Sequence, residues 1–366
     1  MKLNNSRPGA LLLVAAALAS PVALADETLN VYNWSDYIAE DTVAKFEEET
    51  GIKVNYDVYD SNEVLEAKLL TGNTGYDIVV PTSDYLERGI AAGVFQKLDK
   101  NKLANLANLD PELMARMTRF DPDNAYSVIY MWGTNGLGYN AEMISERLGE
   151  DAPVDSWRLL LDPKVVSKLA DCGVAMLDSG VELISSTLNY IGLDPESTSA
   201  ADMEEGFEAL RSIRPYIRYF HSSQIINDLA NGEICLAFGY SGDILQAADR
   251  AAEADNGIQI EYVIPKEGAQ LWFDLMAIPA DAPNPDAAHK FIDFIMRPEI
   301  TADITNYVAY ANANLASRQF VDEEILNSPA IFPDPETKQR LWNVVTYDAE
   351  LTRLLTRFWI DYKTGG

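Results

Sequence analysis

The stretch LNVYNWSDYIAEDTVAKFEEETGIKVNYDVYDSNEVLEAKLLTGNTGYDIVVP, residues 29–81, decides the fold class. Three of its segments have the composition and alternation of strands, namely Leu29–Asn33, Lys53–Tyr59 and Tyr76–Val80. Between them, Asp41–Thr50 and Asn62–Leu70 carry apolar residues at helical spacing. This β-α-β-α-β order predicts a parallel sheet covered by helices, and therefore an α/β protein.

The remaining sequence predicts a second α/β lobe, and a chain of 366 residues suits two domains. Tyr130–Tyr139 is expected to cross between the lobes in extended form, and a return crossover is expected near Tyr262–Pro265. The predicted lobes comprise residues 26–134 with 263–305, and residues 135–262 with 306–366. The tail from Glu336 onward is expected to be helical. Two lobes joined by extended crossovers leave a cleft that hinge motion can close around a ligand.

The first 25 residues have the pattern of a secretory signal peptide. Lys2 and Arg7 precede an apolar run that is too short to span a bilayer, and Ala23-Leu24-Ala25 fits a cleavage site before Asp26. No cysteine follows this site, so no lipid anchor is expected there. The sequence therefore predicts export to a bacterial periplasm.

The chain carries 57 acidic residues against 28 lysines and arginines, a formal net charge of −29. Such a field repels nucleic acid and steers cations toward the protein. The same excess of acids also serves solubility, so the charge alone does not establish a cationic ligand. It does predict that nucleic acid is not a partner.

Aromatic residues lie within a few positions of an aspartate at three places, and two of the pairs follow predicted strands. The pairs are Trp34 with Asp36, Tyr240 with Asp243, and Trp272 with Asp274. Ring faces and carboxylates together are what a small cation needs, and strand ends in parallel sheets are where ligands bind. Thr82-Ser83-Asp84 follows the third strand toward the same rim. The alternative is that the rings pack the core and the acids coat the surface.

Two enzymatic readings compete with a cation site. Gly239-Tyr240-Ser241-Gly242-Asp243 follows a strand like a nucleophile elbow, which would make Ser241 the nucleophile of an exported serine hydrolase. The fifth position is Asp243 instead of glycine. His289 is expected on a helix surface, and His221 precedes the elbow, which is the wrong order. A paired-carboxylate glycosidase has no identifiable pair. No metal-ligand spacing is present, so no metal and no cofactor are expected.

Cys172 and Cys235 are the only cysteines in the chain. In an oxidising compartment two cysteines most simply form one disulfide, and two buried free thiols are the alternative.

Several unusual motifs resemble those of the polyamine-binding periplasmic proteins of bacterial ABC importers, the putrescine and spermidine receptors. They are Tyr32–Tyr37, Asp77–Pro81, Asp121–Asn124, Arg218–Gln224, Ile264–Gly268 and Tyr310–Asn314. The resemblance implies a type II solute-binding fold with two α/β lobes, each a mixed sheet flanked by helices, and extended hinge crossovers. It further implies a monomeric, non-enzymatic receptor that passes a polyamine to an inner-membrane ABC permease.

The resemblance also implies the ligand-binding residues. Trp34, Ser35, Asp36 and Tyr37 would meet the ligand from the first lobe, together with Thr82, Ser83 and Asp84. Glu182 and Asp243 would engage amines, Tyr240 would stack, and Trp272, Asp274 and Tyr310 would complete the box. Cys172 and Cys235 fall where the family places a disulfide. Asp84 and Trp272 stand where the family commonly has a serine-rich segment and a phenylalanine, which favours the triamine spermidine slightly over putrescine.

Overall fold

The first part of the chain folds as the sequence predicts. The computed structural model describes Met1 and residues 27–365, so the predicted signal peptide lies outside the described residues apart from Met1. The opening elements are β1 (Thr28–Trp34), α1 (Thr42–Thr50), β2 (Lys53–Tyr59), α2 (Asn62–Thr71), β3 (Ile78–Val79), α3 (Ser83–Ala92) and α4 (Pro111–Met117). Gly51 ends α1 with φ 74°, and the Ser61 hydroxyl caps α2 by accepting from the Val64 amide.

A long buried strand, β4 (Ser127–Asn140), leads into the second group of elements. These are α5 (Ala141–Leu148), α6 (Arg158–Leu161), α7 (Pro163–Val166), β5 (Val174–Met176), α8 (Gly180–Ile191), α9 (Ala200–Arg211), β6 (Tyr219–Phe220), α10 (Gln224–Ala230), β7 (Leu236–Tyr240), α11 (Ser241–Glu253) and β8 (Ile260–Val263). The chain then returns through β9 (Ala269–Ala277) and continues as α12 (Pro285–Ile295), α13 (Pro298–Val308), α14 (Glu323–Leu326), α15 (Pro335–Lys338), β10 (Leu341–Asn343) and α16 (Ala349–Thr364).

The strands of the described chain form a mixed sheet in the order β2-β1-β3-β9-β4-β7-β5-β6, with β10 beside β9 and β8 beside β4. β1 is parallel to β2 and β3, and β5 is parallel to β6 and β7. β4 joins the two halves, because its residues up to Thr134 pair with β9 and those from Asn135 pair with β7. This confirms the predicted α/β fold class, with a mixed sheet in each half and β4 as an extended crossover.

The return crossover was predicted too early in the sequence. Tyr262 lies on β8, which still pairs with Gly138 of β4 in the second half of the sheet. The strand that returns to the first half is β9, whose Ala277 pairs with Val79. The tail is also only partly helical, since Trp342 pairs with Gln270 of β9 and so lies in a strand.

Two hydrophobic clusters correspond to the two lobes. The first contains buried residues between Leu29 and Trp132, between Leu271 and Ile331, and Val344. The second contains those between Leu137 and Ala269 and between Val345 and Tyr362. Residues 308–331 therefore pack with the first lobe, although the sequence assigned 306–366 to the second. The reason is that α13 runs through position 306 and buries Ile304 and Val308 in the same cluster.

Cys172 and Cys235 form a disulfide, as predicted. They precede the adjacent parallel strands β5 and β7, so the bond joins the starts of two neighbouring strands within the second cluster. None of the helices in the described part of the chain combines the length and apolar character that a membrane span requires.

Candidate functional site

Most of the predicted site residues meet between the lobes, where they line two adjoining cavities. The first cavity is lined by Trp34, Ser35, Tyr37, Tyr59, Asp60, Thr82, Ser222, Ser223, Tyr240, Asp243, Trp272, Asp274 and Tyr310. The second cavity shares Trp34, Asp60, Thr82, Ser222, Tyr240 and Trp272 with the first, and adds Asp84, Glu182, Glu63, Asp178 and Gln270 among others. The shared residues come from both lobes, so the two cavities adjoin at the interface between the lobes.

Strand ends and helix starts place these side chains. Trp34 ends β1, Tyr240 ends β7, and Asp243 lies in the first turn of α11 immediately afterwards. Glu182 lies in the first turn of α8, which follows β5. The carboxyl ends of the parallel strands in each half thus face the cleft, as the rule for such sheets predicts.

Aromatic rings form the walls of the first cavity. The Trp272 ring lies between those of Tyr240 and Tyr310, with centroid distances of 5.6 Å and 5.3 Å and edge-to-face angles of 79° and 67°. Gly133 pairs with Trp272 across β4 and β9, and a Cβ at Gly133 would lie 2.6 Å from the indole. The absence of a side chain at Gly133 therefore allows the large ring of Trp272 to occupy this position.

Trp34 also lines the first cavity and is held by its own hydrogen bond. Its Nε1 donates to the Val80 carbonyl at 2.9 Å, and the Tyr59 hydroxyl donates to the same oxygen at 2.5 Å. The Trp34 and Tyr59 rings are 4.8 Å apart. The indole is thus fixed in orientation before any ligand arrives.

Three carboxylates in the cavities have no cationic partner. No lysine or arginine of the described chain lies within ion-pair distance of Glu182, Asp243 or Asp274. Burial raises the pKa of Glu182 to about 8 and that of Asp243 to about 7, and it raises the pKa of Asp274 well above its ordinary value. Desolvated carboxyl groups without a counter-charge favour their neutral form until a cation enters.

Hydroxyl groups contact two of these carboxylates. The Tyr240 hydroxyl is 3.0 Å from both oxygens of Glu182, and the Tyr310 hydroxyl donates to Asp243 Oδ1 at 2.6 Å. Asp274 is less well satisfied, since neither its Oδ1 nor the Trp272 Nε1 makes a well-formed hydrogen bond. The Tyr37 hydroxyl lies close enough to Asp274 to oppose the effect of burial on its pKa. Buried polar atoms of this kind are rare in folded proteins, so these groups are positions at which a polar ligand atom could bind.

Asp84 differs from these three carboxylates because it has a cation nearby. It is 2% exposed, and burial raises its pKa to about 6. Arg88, one turn later on α3, is 3.8 Å from its Oδ2 and counteracts the effect of burial. Asp84 lines the second cavity but is already partly neutralised.

Two of the predicted site residues line neither cavity. Asp36 adopts a left-handed backbone conformation with φ 53°, and its Oδ1 accepts from Arg250 of α11 at 2.8 Å. It joins the lobes at the surface instead of facing the cleft. Ser83 is fully buried as the first residue of α3. Its neighbours Thr82 and Asp84 do line the cavities, so within this segment a ligand-binding role remains a prediction for those two positions.

Sequence reasoning missed several residues that line the first cavity. Asp60 Oδ1 accepts from the Ser35 hydroxyl at 2.8 Å and from the Ser223 hydroxyl of the other lobe at 2.5 Å. Tyr59 and Ser222 also contribute to the lining. Asp60 directly follows β2 as Asp36 follows β1, so the strand-end rule could have identified it.

The arrangement does not support a serine hydrolase. His221 Nδ1 accepts from the amides of Ser223 and Gln224, both at 3.1 Å. His289 is 4% exposed, contrary to its predicted surface position, and its Nε2 accepts from the Asp99 amide at 2.9 Å. Within residues 27–365, neither histidine is hydrogen-bonded to Ser241, so no general base serves this hydroxyl.

Comparison with known proteins agrees with this geometry. A family model described as "Bacterial extracellular solute-binding protein" matches residues 41–333. The chain is 51% identical to the putrescine-binding periplasmic protein PotF of Escherichia coli, covering 96% of this chain and 97% of that protein. It is 49% identical to the putrescine-binding periplasmic protein SpuD of Pseudomonas aeruginosa, covering 97% of each. The solved structure of a putative spermidine/putrescine ABC transporter from Listeria monocytogenes superposes with a TM-score of 0.82 at 34% identity, covering 92% of this chain and 99% of that one.

Proposed function

The chain belongs to the bacterial extracellular solute-binding proteins, and we propose that it captures a polyamine between its lobes and delivers it to an inner-membrane ABC permease. Its family consists of binding proteins and not of enzymes, so the ligand is bound and released without a change in its bonds. This replaces the alternative of an exported hydrolase acting through Ser241.

The observation that carries the proposal is a set of carboxylates that have no lysine or arginine at ion-pair distance in the described chain, namely the buried Glu182 and Asp274 and the half-buried Asp243. They line the cavities together with aromatic rings. Moving a carboxylate out of water is costly, and an ammonium group that forms charge-assisted hydrogen bonds with it offsets that cost. A ligand with cationic groups at both ends and methylenes between them fits such a distribution of acids and rings.

We assign the ends of the ligand to different cavities. Asp243 and Asp274, both in the first cavity, would hold one ammonium group. Glu182 in the second cavity would hold the other, with Tyr240 keeping its carboxylate in place. Trp34 and Trp272 line both cavities and would contact the methylenes between the two ends.

Among polyamines, putrescine is better supported than the spermidine that the sequence slightly favours. The spermidine prediction depended on Asp84 as an additional acid and on Trp272 as a larger ring. Asp84 already has Arg88 at 3.8 Å, and the Trp272 ring is packed between two tyrosines. Two relatives that share about half of their residues with this chain are named as putrescine-binding. The spermidine preference remains a prediction for the binding measurements below.

We further propose that the protein works in the periplasm. Residues 1–25 would direct export and be removed, and the mature chain would work in the periplasm as a monomer. The relatives that are named as periplasmic support this part of the proposal.

Isothermal titration of the ligand-free protein with putrescine, spermidine, spermine and uncharged 1,4-butanediol tests the capture step. We expect binding of a polyamine with one site per chain and no binding of the diol. Asp243→Asn should weaken polyamine binding by about 2–4 kcal/mol, because a desolvated ammonium loses its counter-charge. Asp255→Asn removes the same charge from an exposed position just beyond α11 and should leave the affinity within about twofold.

The absence of heat with every polyamine at millimolar concentration would rule out the proposal. Delivery is tested separately by uptake of labelled putrescine into cells that lack the gene. Uptake should fall, and the wild-type gene should restore it. If uptake is unchanged in cells that have no second polyamine receptor, the protein captures polyamines but does not deliver them to a permease.

A further inference from the structure

A third cavity continues from the second cavity toward the C-terminal helix. It has a volume of about 310 Å³ and shares Ser61, Glu63, Tyr85, Asp178 and Val181 with the second cavity. Beyond these shared residues its lining includes Glu66 of α2, Arg88 of α3, and Trp359 and Lys363 of α16. Any ligand longer than the first two cavities would extend into this space.

On the first-lobe side of the third cavity, Arg88 provides a positive charge. Its guanidinium lies 3.9 Å from the centre of the Tyr85 ring, and its Nε donates to Glu66 Oε1 at 2.9 Å. Its Nη1 is 3.8 Å from Asp84 Oδ2. The side chain is only 23% exposed, so stacking and ion pairing fix it in place.

On the second-lobe side, Lys363 of α16 forms a corresponding arrangement. Its ammonium lies 2.6 Å from Asp178 Oδ1 and 5.4 Å from the centre of the Trp359 ring. Trp359 Nε1 donates to the same Asp178 oxygen at 3.1 Å. Gly180 allows this close packing, because a Cβ there would lie 2.8 Å from the Trp359 ring. α16 is thereby held against the start of α8, which carries Glu182.

We propose that Arg88 and Lys363 determine ligand length by excluding the third ammonium group of a longer polyamine from the third cavity. This inference rests on the proposed function. The two acids that would attract such a group at the boundary of the second cavity, Asp84 and Asp178, already face these cations. Glu66, another acid of the third cavity, is likewise paired with Arg88. A further ammonium would therefore find these carboxylates already paired and two cations beside them, which disfavours it and gives the site specificity. Glu63 is solvent-exposed, so its attraction for the ammonium is screened.

The test compares the dissociation constants for spermidine and putrescine in Arg88→Gln, Lys363→Gln and the double variant. We expect the double variant to bind spermidine at least tenfold more tightly relative to putrescine than the wild type does, while its affinity for putrescine changes by less than threefold. Lys363→Arg keeps the charge and should keep the wild-type ratio. Circular dichroism and thermal melting establish that each variant is folded.

Matched controls separate a local effect from a change in net charge. Arg211→Gln and Lys266→Gln each remove one exposed cation that is paired with a surface carboxylate, and neither residue lines any of the three cavities. These controls should leave the spermidine-to-putrescine ratio unchanged. If Arg88→Gln does not fold, Lys363→Gln alone, in the last turn of α16, should still shift the ratio at least threefold.

An unchanged ratio in the folded variants, or an equal shift in the controls, would overturn the length assignment while leaving polyamine capture intact. Failure of the wild type to bind any polyamine would instead overturn the proposed function, and the length assignment with it.

Discussion

The Tyr310 hydroxyl donates to Asp243 Oδ1 at 2.6 Å and accepts from the Asp243 amide at 3.1 Å. Tyr310 packs in the first hydrophobic cluster, and Asp243 lies in the first turn of α11 in the second lobe. One phenol thus joins the lobes at the carboxylate to which we assign the ligand ammonium. Closure of the cleft and the state of the binding carboxylate are coupled through this contact.

Replacing Tyr310 by Phe should weaken polyamine binding while leaving the fold intact. The ring remains in place against Trp272, but Asp243 loses the hydrogen bond that opposes the effect of burial on its pKa. We expect a loss of about 1–1.5 kcal/mol, close to tenfold in the dissociation constant measured by titration calorimetry. Tyr307→Phe, at a position that is 46% exposed, is the matched control. Wild-type affinity in Tyr310→Phe would contradict the coupling.

Gly242→Ala tests the same contact by sterics. An alanine Cβ would lie 2.4 Å from the Tyr310 ring, so the closed arrangement could form only if the ring moved. Alanine favours helices over glycine by about 1 kcal/mol, so propensity alone predicts a gain in stability. We expect instead a loss of about 1–3 kcal/mol in binding and a more open ligand-bound form in small-angle scattering.

Ser241→Ala serves as the control for that experiment, because it changes the neighbouring residue of α11 without adding an atom. It should bind polyamines with nearly wild-type affinity. It also tests the rejected hydrolase, because hydrolysis with Ser241 as the nucleophile would be abolished by this substitution. Turnover that persists in Ser241→Ala would exclude that role. A loss of binding in Ser241→Ala equal to that in Gly242→Ala would remove the steric explanation.

Polyamine affinity should decrease as the pH falls from 8 to 6. In the ligand-free protein the pKa of Glu182 is about 8 and that of Asp243 is about 7, because burial disfavours the charged forms. Both groups must lose a proton to hold an ammonium, so binding releases protons and affinity falls by roughly tenfold per pH unit for each group below its pKa. Calorimetry in buffers of different ionisation enthalpy measures this release. Equal observed enthalpies in all buffers would contradict it.

The same carboxyl groups should make the ligand-free protein less stable as the pH rises. The raised pKa of Glu182 means that the folded state holds a proton that the unfolded state loses. The contribution of this raised pKa to the free energy of unfolding is complete below the ordinary glutamate pKa and is lost as the pH approaches about 8. Glu182→Gln should therefore stabilise the ligand-free protein more at pH 8 than at pH 5, by on the order of 2 kcal/mol in urea unfolding. An equal effect at both pH values would count against the assigned pKa.

Reduction of the Cys172–Cys235 disulfide should lower the free energy of unfolding by about 4 kcal/mol, the chain-entropy value for a separation of 63 residues. Polyamine affinity should change little in the reduced folded protein, since neither cysteine lines the first or second cavity. Urea unfolding with and without dithiothreitol measures the difference. The Cys172→Ser/Cys235→Ser double variant should not respond to the reductant, and a reduction effect below about 1 kcal/mol would contradict the estimate.

The sequence was sufficient to predict those parts of the fold that depend on local patterns. Periodicity located β2 at Lys53–Tyr59, and strand-end placement brought Trp34 and Asp243 to one cleft. Asp36 was misassigned because its partner, Arg250, is 214 residues away in sequence and no local pattern indicates that pairing. The return crossover was misplaced for a related reason. Tyr262 has the composition of a strand, but only the pairing with β4 decides to which lobe that strand belongs.

The pairing and burial of the polar side chains at and around the site could not be predicted from the sequence. Whether a carboxylate such as Asp84 is free or ion-paired depends on the rotation of Arg88 on the same helix. His289 shows the same limit, since its position on α12 fits a surface residue until the Asp99 loop covers it. Local pattern gives the identity of the polar groups, whereas tertiary packing decides their charge state.

A crystal structure of the protein with putrescine is the most direct test of the central claim, which concerns where the ligand binds. The account predicts one diamine between the Trp34 and Trp272 rings, with one ammonium in hydrogen-bond contact with Asp243 and Asp274 and the other with Glu182. Putrescine bound outside the first and second cavities, or bound there without contact to any of these three carboxylates, would contradict it.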